Sequence, residues 1–518
     1  MTAGWLASVV AGPVESPDAS PIQIASRLEL AVDPRWIDQM KGLQLRQHSP
    51  QPREIVLRKT GGNGYMTVLK DGPVYRMYYR YIVPSDDPDG HEFYCYAESR
   101  DGIHWIKPDL GLFDIPGTDE RNAITEENKA RPGDDDPDHF PCVSHNLRPF
   151  LDYRSGVVVD ERYKALGGGY NSGSSNAGYW ALVSGDGIHW RKLCKDWVID
   201  RSNWPHGSDS TPACVFWSEA EEKYVAYIRI RVNRDNPTIG QVGGLRWIGR
   251  ITSADFIRWS KVTPMRPMSS AGPDAEKIAG RSMHYYTNET QPYYRNPHLY
   301  VATPARFFVG TAFRRDQIGQ LPEEMKSYPP DAAGAGYTDA ILLTTRPGRL
   351  DYRRPFAEAF LRPGLDVRSW GNRSTYPNVN LVPTSDSEMS FYVRHGAAAY
   401  GYIQRYALRA DGFASVAAPL EGGELITRPL LFDRMNGEVN LQINYSTSGA
   451  GSVRIEIQDV HGNAVPGLAL ADAEPNVGDA IDQPVRWQSG SNVSRLAGTP
   501  LRLRIVMHDA DLYSFRFQ

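Results

Sequence analysis

Three acidic residues stand where chemistry could occur. Asp209, in His206-Gly207-Ser208-Asp209-Ser210-Thr211, precedes an apolar run that opens at Ala213. Glu289 closes His284-Tyr285-Tyr286-Thr287-Asn288-Glu289, and Asp339 lies in Gly336-Tyr337-Thr338-Asp339-Ala340, each beside a strand-like segment. Carboxylates gathered from separate segments can protonate a leaving oxygen and activate a nucleophile, the division of labour that breaks glycosidic bonds. Each residue also has a structural explanation: Asp209 could cap a turn, and side chains alternate along a strand, so only one of Asn288 and Glu289 can face inward. Asp152 falls where a strand gives way to a hairpin and reads as a turn residue.

Recognition of a polyhydroxylated ligand needs flat apolar faces and forked donors. Trp370-Gly371-Asn372-Arg373 offers both, and His145, Asn146, His284, Asn288 and Arg306 stand near the starts of strand-like runs or on their neighbours.

The elements that must position these residues are announced by a repeat. Ser99-Arg100-Asp101-Gly102-Ile103-His104-Trp105 returns as Ser184-Gly185-Asp186-Gly187-Ile188-His189-Trp190 and, without the glycine, as Ser253-Ala254-Asp255-Phe256-Ile257-Arg258-Trp259. Degenerate copies follow at Thr345-Arg346-Pro347-Gly348 and Arg409-Ala410-Asp411-Gly412-Phe413. The segment has the chemistry of a turn, with Asp accepting backbone N–H groups, Gly taking a positive φ and the aromatic folding back, so Asp101 and Asp186 are structural. Before the second copy come strand-like runs at Pro149–Tyr153, Tyr163–Gly167 and Tyr179–Val183, and Trp190 opens a fourth. Four antiparallel strands per unit, with about five units between residues 51 and 417, predict a five-bladed β-propeller.

From residue 418 to 518 the alternating runs Leu441–Ser446, Ser452–Gln458, Ala464–Leu468, Pro484–Trp487, Leu501–Met507 and Leu512–Phe517 predict a C-terminal β-sandwich. Residues 1–50 read as an arm with one helix-like stretch, Pro34–Leu43, and an extended part that could complete a blade. The chain is thus expected to be all-β. Its 47 Gly, 38 Pro, 28 Tyr and 12 Trp suit many short strands and tight turns.

The net charge of −4, with Lys and Arg scattered, supplies no field for a phosphate backbone, so nucleic acid is not expected as a partner. No apolar run is long enough to span a bilayer and no leader pattern opens the sequence, so a membrane partner is not expected; as written, the chain is expected in the cytoplasm, with export open if the start is trimmed. Cys95, Cys142, Cys194 and Cys214 form no CxxC pair and read as free thiols, not zinc ligands. No dinucleotide or phosphate loop appears, and no cofactor or metal is expected among the site residues, although a structural ion at a propeller axis and a homo-oligomer both stay open.

Several stretches carry a likeness beyond architecture: His145-Asn146-Leu147-Arg148-Pro149-Phe150-Leu151-Asp152, Glu161-Arg162-Tyr163-Lys164-Ala165-Leu166-Gly167-Gly168 and Asp509-Ala510-Asp511-Leu512-Tyr513-Ser514-Phe515-Arg516-Phe517. Over nearly the whole length these resemble a bacterial group similar to glycoside hydrolase family 32, within the clan of families 32 and 43. The resemblance implies a carbohydrate substrate, with a furanoside among its options, and carboxylates from different blades around one end of a tunnel. The first blade departs from the family-32 pattern, opening Gly62-Asn63-Gly64-Tyr65-Met66 with no carboxylate. Three activities are therefore carried forward: a glycoside hydrolase using Asp209 with Glu289 or Asp339, a glycoside phosphorylase with a phosphate held near Arg306 and Arg373, and a carbohydrate-binding protein without catalysis.

Overall fold

A computed structural model describes residues 20–58, 60, 65–83, 91–126, 143–168, 178–204, 206, 213–237, 239–241, 243–269, 283–309, 336–366, 369, 374–396 and 401–518. The described chain is nearly all β. Its one α-helical turn is Val143–Asn146, and no helix among the described residues is long and apolar enough to cross a membrane.

Five sheets follow one another along the chain, antiparallel except where Arg266–Ser269 pairs in parallel with Asp351–Arg354 in the fourth. The first is built on Met66–Asp71, Val74–Val83 and His91–Ser99, and the second on Arg148–Leu151, Tyr163–Gly168, Tyr179–Ser184 and Arg191–Lys192. The third holds Cys214–Ser218, Lys223–Val232, Leu245–Ser253 and Thr263–Pro264. In the fourth, Gln291–Tyr293, Asn296–Ala302, Leu343–Thr345 and Asp351–Arg354 are prolonged by Met283–Tyr285, Ala305–Val309 and Gly336–Ala340, which pair as a separate three-stranded sheet. The fifth pairs Glu388–His395 with Tyr402–Arg409 and is finished by Gln51–Arg58 from the N-terminal side. First strands of successive sheets lie against one another, and Thr67 bridges Val379 while the Leu381 N–H donates to Gln291 Oε1 at 2.9 Å.

The repeat folds as its chemistry demands. In the first copy Asp101 Oδ1 accepts the Ile103 and His104 N–H groups, both at 2.8 Å, Ser99 Oγ accepts that of Gly102, and the Trp105 indole donates back to Gly102 O at 3.1 Å. Asp186 and Trp190 repeat this pattern, and Asp255 and Trp259 do so without the glycine. Gly102 and Gly187 have φ of 75° and 80°, and Phe256 takes 67°, a left-handed conformation that costs a side chain about 1–2 kcal/mol. The phenyl offsets that cost by filling the seam between sheets, with ring centroids 5.8 Å from Phe150 and 5.0 Å from Tyr224.

Tyrosines opposite the repeat serines latch each sheet to the one before it. Tyr163 donates to Asp71, Tyr224 to Asp152 at 2.7 Å, and Tyr75 to Pro383 O at 2.6 Å. Asp152 is therefore more than a turn residue: it also receives the Lys164 ammonium at 2.9 Å, inside the seam.

The last sheet differs in detail from the sequence expectation. Leu441–Gln458 and Arg502–Phe517 are each one continuous bulged strand, because the small residues at 447–451 stay in the sheet as an irregularity opposite 508–510. Ala464–Leu468 is a turn, broken by Pro466 and by Gly467 at φ 79°, and the next strand is Asp479–Pro484. The N-terminal arm also departs from expectation. Pro34–Trp36 is a single 3-10 turn, after which Ile37–Lys41 runs as a strand. Glu29–Leu30, Ile37–Lys41 and Gln44–Gln47 pair with Arg502–Phe517, Gly423–Thr427 and Ala414–Ala418, so the arm joins the last sheet instead of completing an earlier one.

Candidate functional site

The end at which the first strands begin gathers the side chains that can do chemistry. On the first sheet Arg80 pairs with Glu92, which also meets His145 Nδ1 at 3.0 Å. Arg148, at the start of the second sheet, forms a two-pronged pair with Glu289 of the fourth, with Nη2 at 3.0 Å from Oε1. Cys214, opening the third sheet, lies against both: the Arg148 guanidinium is 3.2 Å from its sulfur, and burial pushes its thiol up to about 12. Three different sheets therefore meet at one ion pair, with Arg148 and Glu289 both buried. An ion pair so placed is sensitive to loss of either member, since the survivor is a charge without a partner away from water.

Glu289 does not sit on a regular strand. Residues 286–290 separate Met283–Tyr285 from Gln291–Tyr293, and Glu289 has φ 51°, so the alternation expected for positions 288 and 289 does not apply. Both side chains turn into the protein. Asn288 donates to Tyr227 O at 3.1 Å and accepts the Thr290 N–H at 3.0 Å, fixing the kink that delivers Glu289 to Arg148. Asn146 has a comparable role, accepting the Gly168 N–H at 2.7 Å and donating to the same residue's carbonyl. These amides position backbone.

Beyond the kink, Arg306 and Asp339 lie opposite one another on neighbouring strands. Arg306 Nε and Nη2 grip the two carboxylate oxygens at 2.7 and 2.5 Å, while its Nη1, buried, has no hydrogen-bond partner among the described residues. Asp339 keeps 18% of its side-chain surface exposed, against 0% for Glu289, and so is the more open of the two described candidate carboxylates.

An aromatic row underlies these pairs. The rings of Tyr65, Tyr376 and Tyr286 stand nearly parallel, with centroids 6.3 and 5.6 Å apart and interplanar angles of 3° and 20°. Arg148 and Arg80 lie over Tyr65, and Arg229 and Arg246 over Tyr286 at 4.7 and 5.0 Å. Arg394 is buried nearby, and loss of solvent pushes its guanidinium down to about 9. His284 accepts the Arg246 backbone N–H on Nδ1 at 3.1 Å; burial first, and then Arg246, Arg231, Arg229 and Arg234, lower its imidazole to about 4.

Of the sequence-nominated residues, the structure brings His145, His284, Glu289, Arg306 and Asp339 to this end, places Asn146 and Asn288 in the frame beneath it, and leaves Asp209, Trp370 and Arg373 outside the described residues. Arg80, Glu92, Arg148, Tyr65, Tyr286 and Tyr376 were not nominated. Their only signal was position, within three residues of the beginning or end of a strand. Among the described residues no group of three or more His, Cys, Asp or Glu is arranged to hold a metal ion, and Cys95, Cys194 and Cys214 are free.

No family model matches the chain. Two uncharacterised proteins of Mycobacterium tuberculosis are similar to it, at 31% and 30% identity over 157 residues, which is 29% of this chain and 42% of theirs. The chain thus spans less than half the length of the curated relatives it matches. Among solved structures, an N-acetylgalactosamine deacetylase from F. plautii in complex with blood group B trisaccharide overlaps 72% of this chain and 97% of its own at 12% identity, with a TM-score of 0.42. A fructofuranosidase variant from Schwanniomyces occidentalis with fructosylnystose overlaps 97% and 99% at 10% identity, TM-score 0.37, and a β-1,2-mannobiose phosphorylase from Listeria innocua 71% and 98% at 10%, TM-score 0.38.

Proposed function

We propose that the protein acts on a glycan at the end of the molecule where the first strands begin, as a glycoside hydrolase. In this reading the five sheets are blades of a β-propeller and the last sheet belongs to an appended β-sandwich. The observation that carries it is the convergence there, from four of the five sheets, of parallel tyrosine rings, forked guanidinium donors and carboxylates. That combination suits a ligand with hydroxyl groups and flat apolar faces. Asp339, partly exposed and steered by Arg306, is assigned as one catalytic carboxylate and Asp209 as the other. Glu289 is assigned an orienting role, because Arg148 occupies both of its oxygens.

The test is turnover of a panel of aryl glycosides and plant or algal polysaccharides by the intact protein, Asp209→Asn and Asp339→Asn. A loss of about 10²–10⁴-fold in each variant, with unfolding temperature retained, is the expected result for groups that move protons or attack. Unchanged turnover in both removes the assignment.

A second reading, glycan binding without cleavage, is favoured by one observation: both described candidate carboxylates are gripped by arginine. It predicts that affinity persists in Asp339→Asn while no glycan of the panel is hydrolysed by the unmodified protein.

A further inference from the structure

The three-stranded sheet of Met283–Tyr285, Ala305–Val309 and Gly336–Ala340 has one closed face and one open face. Phe307 and Thr338, opposite one another, point to the closed side and are 2% and 1% exposed. Side chains alternate along a strand, so Arg306, Phe308, Tyr337 and Asp339 share the other side. There Phe308, Tyr337 and Asp339 are all half-buried, and the Arg306 guanidinium carbon stands 5.2 Å from the centre of the Phe308 ring. Two of the three guanidinium nitrogens are committed to Asp339; the third, Nη1, is withdrawn from water and has no acceptor among the described residues. A buried donor without an acceptor is uncommon in native folds and marks a place where an oxygen from outside the chain belongs.

We propose that this open face is a subsite for an uncharged sugar and that Arg306 sets its specificity, with Nη1 donating to a hydroxyl oxygen of the ring. Phe308 supplies the flat apolar surface, Asp339 an acceptor and Arg306 a donor, the three things such a ring needs, all on one side of one sheet. Charge decides which sugar is taken. Arg306 and Asp339 cancel, and the more exposed member of the pair is the carboxylate, at 18% against 6%. A uronate or a phosphate arriving here meets an anion that can only accept, whereas the hydroxyls of a neutral ring can take a hydrogen bond from Nη1 and give one to Asp339. The inference rests on the glycan reading above, keeps Asp339 in its assigned place, and narrows the substrate to uncharged glycans.

Calorimetric titration of the full chain tests it, with oligosaccharides of arabinose, fructose, mannose and galacturonate and with inorganic phosphate as probes. At least one neutral probe is expected to bind, with oligogalacturonate and phosphate about tenfold or more weaker at low salt and the gap narrowing as salt is added. Arg306→Lys, which keeps a cation for Asp339 but has no third nitrogen, should weaken the neutral probe about tenfold. Monodeoxy forms of that probe should include one whose missing hydroxyl costs the unmodified protein a similar factor and costs Arg306→Lys nothing; a residue that only holds Asp339 in place would show no such pairing. Should the lysine variant fail to fold, Phe308→Leu, which keeps bulk and loses the flat ring, should weaken the neutral probe about threefold, and the comparison of neutral with acidic probes needs no variant. Oligogalacturonate or phosphate binding as tightly as the neutral probe, or the absence of any hydroxyl paired with Arg306, would overturn the subsite and leave the glycan reading standing. If no probe binds at all, both fall.

Discussion

The same turn is built in two environments, and the contrast shows why a repeat decays. In the first three sheets it stands at the surface: Asp101 and Asp186 keep 47% and 51% of their side-chain surface exposed and satisfy themselves with local N–H groups and a histidine three residues on. In the fourth and fifth sheets it lies against the chain's two ends. Arg346, aligned with exposed Arg100, reaches Asp33 at 2.7 Å and Glu29 at 3.0 Å. Asp411, aligned with Asp101, is wholly buried and takes φ 63°; it receives Tyr293 Oη and Ser514 Oγ at 2.7 Å and Asn444 Nδ2 at 3.0 Å. The Ser and Trp that make the free-standing turn self-sufficient are dispensable once another sheet supplies partners, whereas the glycine is kept at Gly348 and Gly412. Degeneracy in a repeat can thus mark an interface.

The sharpest way to break this comparison is to remove the two aspartates. Asp411→Ala should lower stability by about 3–5 kcal/mol, because Arg295, Tyr293, Asn444 and Ser514 lose a shared buried partner. Asp186→Ala should cost only about 1 kcal/mol. Equal shifts of the urea midpoint would sink the distinction. The arginines come next: Arg346→Met should cost about 3 kcal/mol by leaving Glu29 and Asp33 short of their cation, and Arg100→Met should stay within about 0.5 kcal/mol. Phe256→Gly sharpens the point within the surface copies. It should destabilise by about 2–3 kcal/mol, the loss of a buried phenyl being partly offset by relief of the left-handed backbone.

The smallest effect is on acid stability. Burial would raise the Asp186 carboxyl, but the His189 ring and the His189 and Ile188 amides outweigh it and hold the group well below the ordinary aspartate range. A group depressed on folding contributes fully above its unfolded value, near ~4, and loses that contribution as pH falls below it. Asp186→Asn should therefore be slightly less stable than the parent at neutral pH and should converge with it in acid, as read by thermal unfolding at successive pH values.

What the sequence disclosed follows the range of the contacts. The repeat turns were legible to individual hydrogen bonds because the bonds of Asp101 run to residues two positions behind and two and three positions ahead. The strands of the second sheet were legible because alternation and turn residues are local as well. Glu289 was legible as a residue but not as a geometry, since its partner Arg148 lies 141 positions away and the left-handed kink that joins them has no glycine to announce it. The continuous strands of the last sheet were hidden by small residues at 447–451 that mimic a turn. Arg246, whose backbone sets the tautomer of His284 from another sheet, left no trace in local pattern.

The weaving of Glu29–Gln47 into a sheet completed by Arg502–Phe517 also bears on biosynthesis. The first of these strands leaves the ribosome hundreds of residues before its hydrogen-bonding neighbour exists, so Ile24, Leu30 and Trp36, all buried in the finished protein, must wait uncovered while the intervening sheets form. Assembly of that sheet consequently cannot be completed before Arg502–Phe517 has emerged, and a chain cut short ahead of that strand leaves Glu29–Leu30 without its neighbour.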